Sequence, residues 1–201
     1  FGSRHFGSRR IALSSPLPGC PCPSDLRGMP APAALALALA LALAPAVALD
    51  TSKVKPGTPF PDFSLPGSDG NTYELDHLIH DDHSTAAKVL FWWFPKANTP
   101  GCTVEGNKFK DLHDAFVINR VQIVGISADS QADNKAFADE HSFNYPLLSD
   151  TEQKIPKALG ITSTRWAVLV DKKKKIEQYW GDVGAASFPD EALAFVQRSE
   201  L

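Results

Sequence analysis

The sequence predicts a single α/β domain, on three observations. Residues 89–94 (VLFWWF) form an unbroken apolar run that Pro95 stops. The run is too short for a core helix and reads as a central strand buried on both faces. A second such run, 121–126, follows a segment with apolar residues at helical spacing, Phe109, Leu112 and Phe116. Two further strand-like stretches, 166–170 and 176–180, flank Asp171-Lys172-Lys173-Lys174-Lys175, a hairpin turn.

The remaining elements follow in chain order. Residues 54–65 are an extended, Pro-rich entry, with Pro56, Pro59 and Pro61. Ser68-Asp69-Gly70-Asn71 is a turn signal, and Thr72-Tyr73-Glu74-Leu75 after it completes an N-terminal hairpin. Residues 100–116 are helical. Ala132, Ala136 and Phe137 mark a helix that ends near His141. Leu147 and Leu148 lie in a short extended piece. Residues 151–159 form a short helix that Gly160 stops. Phe188, Ala192, Phe195 and Val196 give a closing helix. Strand, helix, strand, helix, hairpin and last helix is the order of a thioredoxin-like fold: a central mixed sheet flanked by helices, here with an N-terminal β-hairpin extension.

Composition bounds the function. At 201 residues the chain holds one domain plus an extension. Charged residues at 21% and hydrophobic ones at 43% exclude a disordered or collagen-like chain. Residues 1–48 carry four Arg against one Asp, which leaves 16 Lys and Arg against 22 Asp and Glu in 49–201. That acidic body has no basic stripe, which argues against nucleic acid as a partner. Three cysteines, Cys20, Cys22 and Cys102, are too few for a disulfide-stapled scaffold.

The first 48 residues read as processing signals. Residues 1–28 repeat Phe-Gly-Ser-Arg and precede the only Met, Met29, as a translated untranslated leader or a targeting extension would. Residues 29–48 are signal-like. Ala and Leu alternate over 33–44, and Ala46-Val47-Ala48 fits the small-x-small rule for cleavage. The apolar stretch falls short of the ~20 residues that a membrane span needs. The domain of 49–201 is therefore expected in the secretory pathway or outside the cytoplasm after cleavage near Ala48, with no stable membrane insertion of the mature form. A plastid or thylakoid lumen is the alternative.

One segment carries the chemistry: Phe94-Pro95-Lys96-Ala97-Asn98-Thr99-Pro100-Gly101-Cys102-Thr103. A buried strand delivers the chain to a Pro-bounded loop, and the loop opens a helix. Cys102 falls in the first helical turn, where unpaired N–H groups and the positive dipole end favour an anion. The same amides suit an oxygen beside the sulphur. Thr99, three residues earlier, is placed to turn its hydroxyl to the sulphur, and Pro95 to pack the far side and limit water. By position alone an inert buried thiol reads equally well.

The wording of the segment separates the two readings. Pro95, Thr99 and Cys102 match the Pro-x-x-x-Thr/Ser-x-x-Cys motif of peroxiredoxins. The longer stretch closely resembles their peroxiredoxin Q or bacterioferritin comigratory protein branch. The resemblance extends over 54–198 and includes Pro61-Asp62-Phe63-Ser64-Leu65-Pro66, Gly125-Ile126-Ser127-Ala128-Asp129 and Leu148-Ser149-Asp150. It implies reduction of hydrogen peroxide and alkyl hydroperoxides with no cofactor and no metal. It makes Cys102 the peroxidatic cysteine, with Thr99 and Pro95 shaping its pocket. The family's active-site arginine maps to Arg165, so that Gly101, Cys102, Thr99 and Arg165 would contact the peroxide. Arg165 is one of three Arg in the body, and its fixed charge suits a thiolate and a developing oxyanion.

The chain departs from much of that branch. Many relatives carry a resolving cysteine four or five residues after the peroxidatic one, where this chain has Gly106 and Asn107. No cysteine follows Cys102, and Cys20 and Cys22 precede the expected cleavage site. A one-cysteine enzyme is expected, a monomer or homodimer reduced by thioredoxin, glutaredoxin or glutathione. A Cys placed at 106 or 107 is expected to restore an internal disulfide. Two alternatives stand beside the peroxidase. A thiol–disulfide oxidoreductase would want a Cys-x-x-Cys pair, which is missing. A non-enzymatic thioredoxin-fold chaperone would not need Pro95, Thr99, Cys102 and Arg165 together. His77, His80 and His83 with Asp76, Asp81 and Asp82 form no closed ligand pattern and read as a solvated loop. The Lys172–Lys175 run reads as a solvated hairpin, and Trp92 and Trp93 as packing on opposite faces of one strand.

Overall fold

The computed structural model describes residues 54–80 and 86–199. The leader, the signal-like segment, its cleavage site, Cys20, Cys22, Asp81, Asp82 and His83 lie outside the described residues. Within them the order is β1 (Ser64–Pro66), β2 (Thr72–Glu74), α1 (Leu75–His80), β3 (Lys88–Trp93), α2 (Pro100–Ile118), β4 (Val121–Ser127) and α3 (Gln131–His141). There follow β5 (Leu147–Ser149), α4 (Lys154–Leu159), β6 (Trp166–Asp171), β7 (Ile176–Gly181) and α5 (Phe188–Ser199). This is the thioredoxin-like α/β arrangement that the element order predicts.

Five strands form one mixed sheet in the order β5-β4-β3-β6-β7. β3 lies at its centre, parallel to β4 and antiparallel to β6. That place explains its continuous apolar text, since a central strand is covered on both faces. Alternation sends Phe91 and Trp93 to one face, with Leu75 and Leu78 of α1, Ile155 of α4, and Trp166. It sends Leu90 and Trp92 to the other, with Cys102, Phe109 and Phe116 of α2, Phe137 of α3, and Phe188 of α5. Each fully buried aromatic contributes about 1.5–3 kcal/mol from apolar surface removed from water. The face behind β3 therefore anchors the helix that carries Cys102.

The N-terminal hairpin β1–β2 is antiparallel and touches the sheet through a bridge between Gly67 and Leu148. Its turn closes as read, with Asp69 Oδ1 accepting from Asn71 N–H at 3.1 Å and Gly70 at φ +91°. Two local readings change. Asp76, His77 and His80 fall on the short helix α1 and not in a loop, because Leu75, Leu78 and Ile79 put an apolar stripe on the core. The lysine turn is also less solvated than read. Lys174 Nζ donates to Asp62 Oδ1 and Asp76 Oδ2, both at 2.8 Å, and ties the β6–β7 turn to the N-terminal segment and α1.

Among the described residues no helix is long and apolar enough to cross a membrane. Among them, too, no group of three or more His, Cys, Asp or Glu converges as a metal site.

Candidate active site

β3 ends where Phe94 N–H donates to the Ile126 carbonyl at 3.0 Å, after which Pro95 withholds a donor from the sheet. The loop that follows is held from the side. Asp129, just past β4, accepts from Ala97 N–H at 2.7 Å through Oδ2. Its own backbone N–H donates to Ser127 Oγ at 3.1 Å, and Ser127 Oγ donates to the buried Asn134 of α3 at 3.0 Å. Asn98 takes the left-handed conformation, φ 57°, which Asn tolerates better than most residues. Thr99 is the N-cap of α2, extended at φ −91° and ψ 148°.

Pro100 opens the helix. Its missing N–H is no loss there, and Thr103 N–H already donates to the Thr99 carbonyl at 2.9 Å. The helical pattern therefore leaves the amides of Gly101 and Cys102 without an intrahelical acceptor, aimed at the end where Cys102 sits. Cys102 is fully buried, at 0% exposure. Arg165, immediately before β6, brings Nη2 to 3.3 Å from its Sγ. The glycine at 101 permits this approach, because a Cβ there would lie 3.3 Å from Arg165 Nη2. Cation, helix end and free amides converge on one sulphur, an arrangement that stabilises a thiolate and a charged oxygen beside it.

Two further residues of the motif complete the loop, and the Thr99 hydroxyl turns otherwise than expected. Thr99 Oγ1 donates to the Lys96 carbonyl at 3.1 Å, inside its own loop, because the left-handed turn at Asn98 folds that carbonyl back toward it. Pro95 is exposed. It lines a cleft of about 380 Å³ with Trp93, Ala128, Pro156, Thr164 and Trp166. It bounds the strand end.

Glu105 went unread in the sequence and belongs to the site. It is fully buried, and its Oε2 accepts from Arg165 Nη1 while its Oε1 has no hydrogen-bond partner. Burial pushes its carboxyl up to about 7, with the charge and hydrogen bond of Arg165 pulling the other way. Burial by itself would lower the Arg165 guanidinium, but Glu105 and Cys102 outweigh it and hold the group above its usual value. The signal for Glu105 was present. Residues 102, 105, 109, 112 and 116 are spaced by threes and fours, so the acid lies on the inner stripe of α2.

The next residue, Gly106, crowds a route that the sequence left open. A Cβ there would meet Cζ of Phe143 at 2.5 Å. Phe143 is held in turn by Tyr145, with ring centroids 5.4 Å apart, and by Phe137 at 5.0 Å. A Cys at 106 therefore requires that ring to shift, which makes 107 the less crowded position for a resolving thiol. Gly106→Cys is expected to destabilise the domain by about 1–3 kcal/mol. Chemical denaturation checks this, and an unchanged midpoint would show that the ring yields freely.

Comparison with known proteins bears on the family of the chain. The model of the AhpC/TSA family matches residues 56–179. Peroxiredoxin Bcp of Bacillus subtilis is 30% identical over 149 residues, which cover 68% of this chain and 91% of that protein. The chloroplastic peroxiredoxin Q of Triticum aestivum is 31% identical over 133 residues, 63% of this chain and 58% of the relative. The crystal structure of peroxidoxin BcpB from Mycobacterium tuberculosis superposes with a TM-score of 0.66 at 29% identity, over 72% of this chain and 97% of that one.

Proposed function

The chain belongs to the AhpC/TSA family, and from that premise we propose that it is a peroxiredoxin working through Cys102 alone. It is a thiol-dependent peroxidase. The observation that carries the assignment of Cys102 is the 3.3 Å approach of Arg165 Nη2 to a fully buried sulphur at a helix N-terminus. The thiolate attacks one peroxide oxygen, the O–O bond breaks, and alcohol or water leaves a sulfenic acid on Cys102. Arg165 and the amides of Gly101 and Cys102 hold the charge that develops on the peroxide. Thr99 and Pro95 act at one remove, by shaping the loop and ending the strand. Substrates are hydrogen peroxide and alkyl hydroperoxides.

The one-cysteine reading rests on the sequence after Cys102, which has no further cysteine. The sulfenic acid then waits for an external thiol of the thioredoxin, glutaredoxin or glutathione kind. One equivalent of peroxide should give an adduct with a dimedone-type probe at Cys102, and a monomer mass free of an internal disulfide. A chain that resists the probe and instead shows the mass loss of an internal disulfide would contradict the one-cysteine reading.

A further inference from the structure

Arg165 is shared between two acids. Its Nη2 faces Cys102 Sγ and its Nη1 faces Glu105 Oε2, and both acidic side chains are fully buried. One buried cation compensates one buried anion, and a second anion beside it is strongly disfavoured. Few groups face Glu105. Cys102 shares its helix, and Arg165 comes from the segment before β6. Tyr145, from the segment that leads into β5, lies close enough to feel its charge. The Tyr145 phenol donates to the Gly106 carbonyl at 2.8 Å, and burial together with Glu105 holds it well above its usual range, so it stays protonated. Glu105 Oε1 is buried without a partner, a position that suits a neutral carboxyl better than a carboxylate.

We propose that Glu105 is the charge-compensating acid of the site, and that the negative charge passes from Cys102 to Glu105 when the sulphur is oxidised. This rests on Cys102 being the peroxidatic cysteine. In the reduced site the thiolate pairs with Arg165, and Glu105 keeps its proton. The sulphur attacks one peroxide oxygen. An S–O bond forms, the O–O bond breaks, and its electron pair leaves on the departing oxygen. Sulphur is oxidised by two electrons and the peroxide is reduced by two. The attacked oxygen keeps its own hydrogen, so the product is a neutral sulfenic acid. The departing alkoxide or hydroxide takes up one proton as Glu105 releases one, and the new carboxylate pairs with Arg165. The three side chains carry no net charge before or after. The ionised Glu105 then disfavours the sulfenate anion through which a second peroxide would react, and so protects the waiting sulfenic acid.

The test counts protons. Full-length wild type and Glu105→Gln are each mixed with one equivalent of tert-butyl hydroperoxide and a pH indicator in weak buffer. Two conditions, about pH 6 and about pH 8, bracket the value near 7 to which burial pushes Glu105. Ultraviolet thiolate absorbance is read before mixing. Wild type is expected to take up close to one proton per chain at the lower pH, where Glu105 keeps its proton before and after, and less than about half at the higher, where the thiolate holds the proton on Glu105 until the sulphur is oxidised. Glu105→Gln is expected to take up close to one at both. Equal uptake by the two chains at the higher pH, with peroxide still consumed, overturns the proposal, as does the lack of a wild-type thiolate signal there. Should the variant fail to fold, the wild-type infrared difference spectrum decides. Oxidation at the higher pH must remove the band of a protonated buried carboxyl, and its persistence overturns the proposal. Failure of the peroxidase reading looks different: neither chain consumes peroxide at either pH.

Discussion

Cys102→Ser is expected to leave a folded chain that has lost peroxide reduction, with the oxidation rate down by about 10³–10⁶. The fold should survive because one atom changes within a packed stripe. Phe109 and Phe116 continue that stripe over Trp92 and Phe188, and the helix start is set by Thr99 and Pro100. Activity should not survive, because a serine hydroxyl does not ionise near neutral pH even beside Arg165 and two helix amides. Peroxide consumption with an external thiol donor, set beside a thermal melt, separates the two effects. A variant that melts like wild type and still turns over would remove Cys102 from the mechanism.

Arg165→Ala has the second largest effect. It removes the cation 3.3 Å from the sulphur and should slow the oxidation step by about 10²–10³, the usual loss for one donor to a developing oxyanion. It also strands Glu105. Losing one partner of a buried pair costs about 3–5 kcal/mol when the survivor must stay charged. Glu105, already pushed up to about 7, escapes most of that cost by keeping its proton. The stability loss should therefore be small in acid and grow as pH rises through neutrality, where the carboxyl is driven to ionise without its cation. Arg165→Ala with Glu105→Gln should recover that alkaline stability and none of the rate. Rapid-mixing oxidation kinetics and melts across the pH range read the two quantities apart. Recovery of rate in the double variant would mean that Arg165 acts only by neutralising Glu105.

The sheet was legible because its strands announce themselves. The run 89–94 is apolar on both faces, and β6 and β7 are joined by a turn that Asp171 and Lys174 close with a 3.0 Å backbone hydrogen bond. Cys102 and Arg165 were legible because their residue types match a specific motif. Glu105 was passed over because a carboxylate is assumed to face water, although its spacing from Cys102 and Phe109 places it inward. The direction of the Thr99 hydroxyl was not legible, since it depends on one backbone angle at Asn98. Nor was the crowding at Gly106 or the clamp on Ala97. Both involve partners far along the chain, Phe143 and Asp129, which only the folded topology brings near.

The sulphur is closed off from bulk solvent, at 0% exposure, so it stands within reach of a molecule of a few atoms far more readily than of one carried on a bulky surface. What holds that enclosure in register is remote from it. Asp129 fastens Ala97 and is itself tied through Ser127 to α3, so the loop before Cys102 is moored to the body of the domain by one side chain from beyond β4. Loosening that one small fastening would therefore disturb the start of α2, where Cys102 sits.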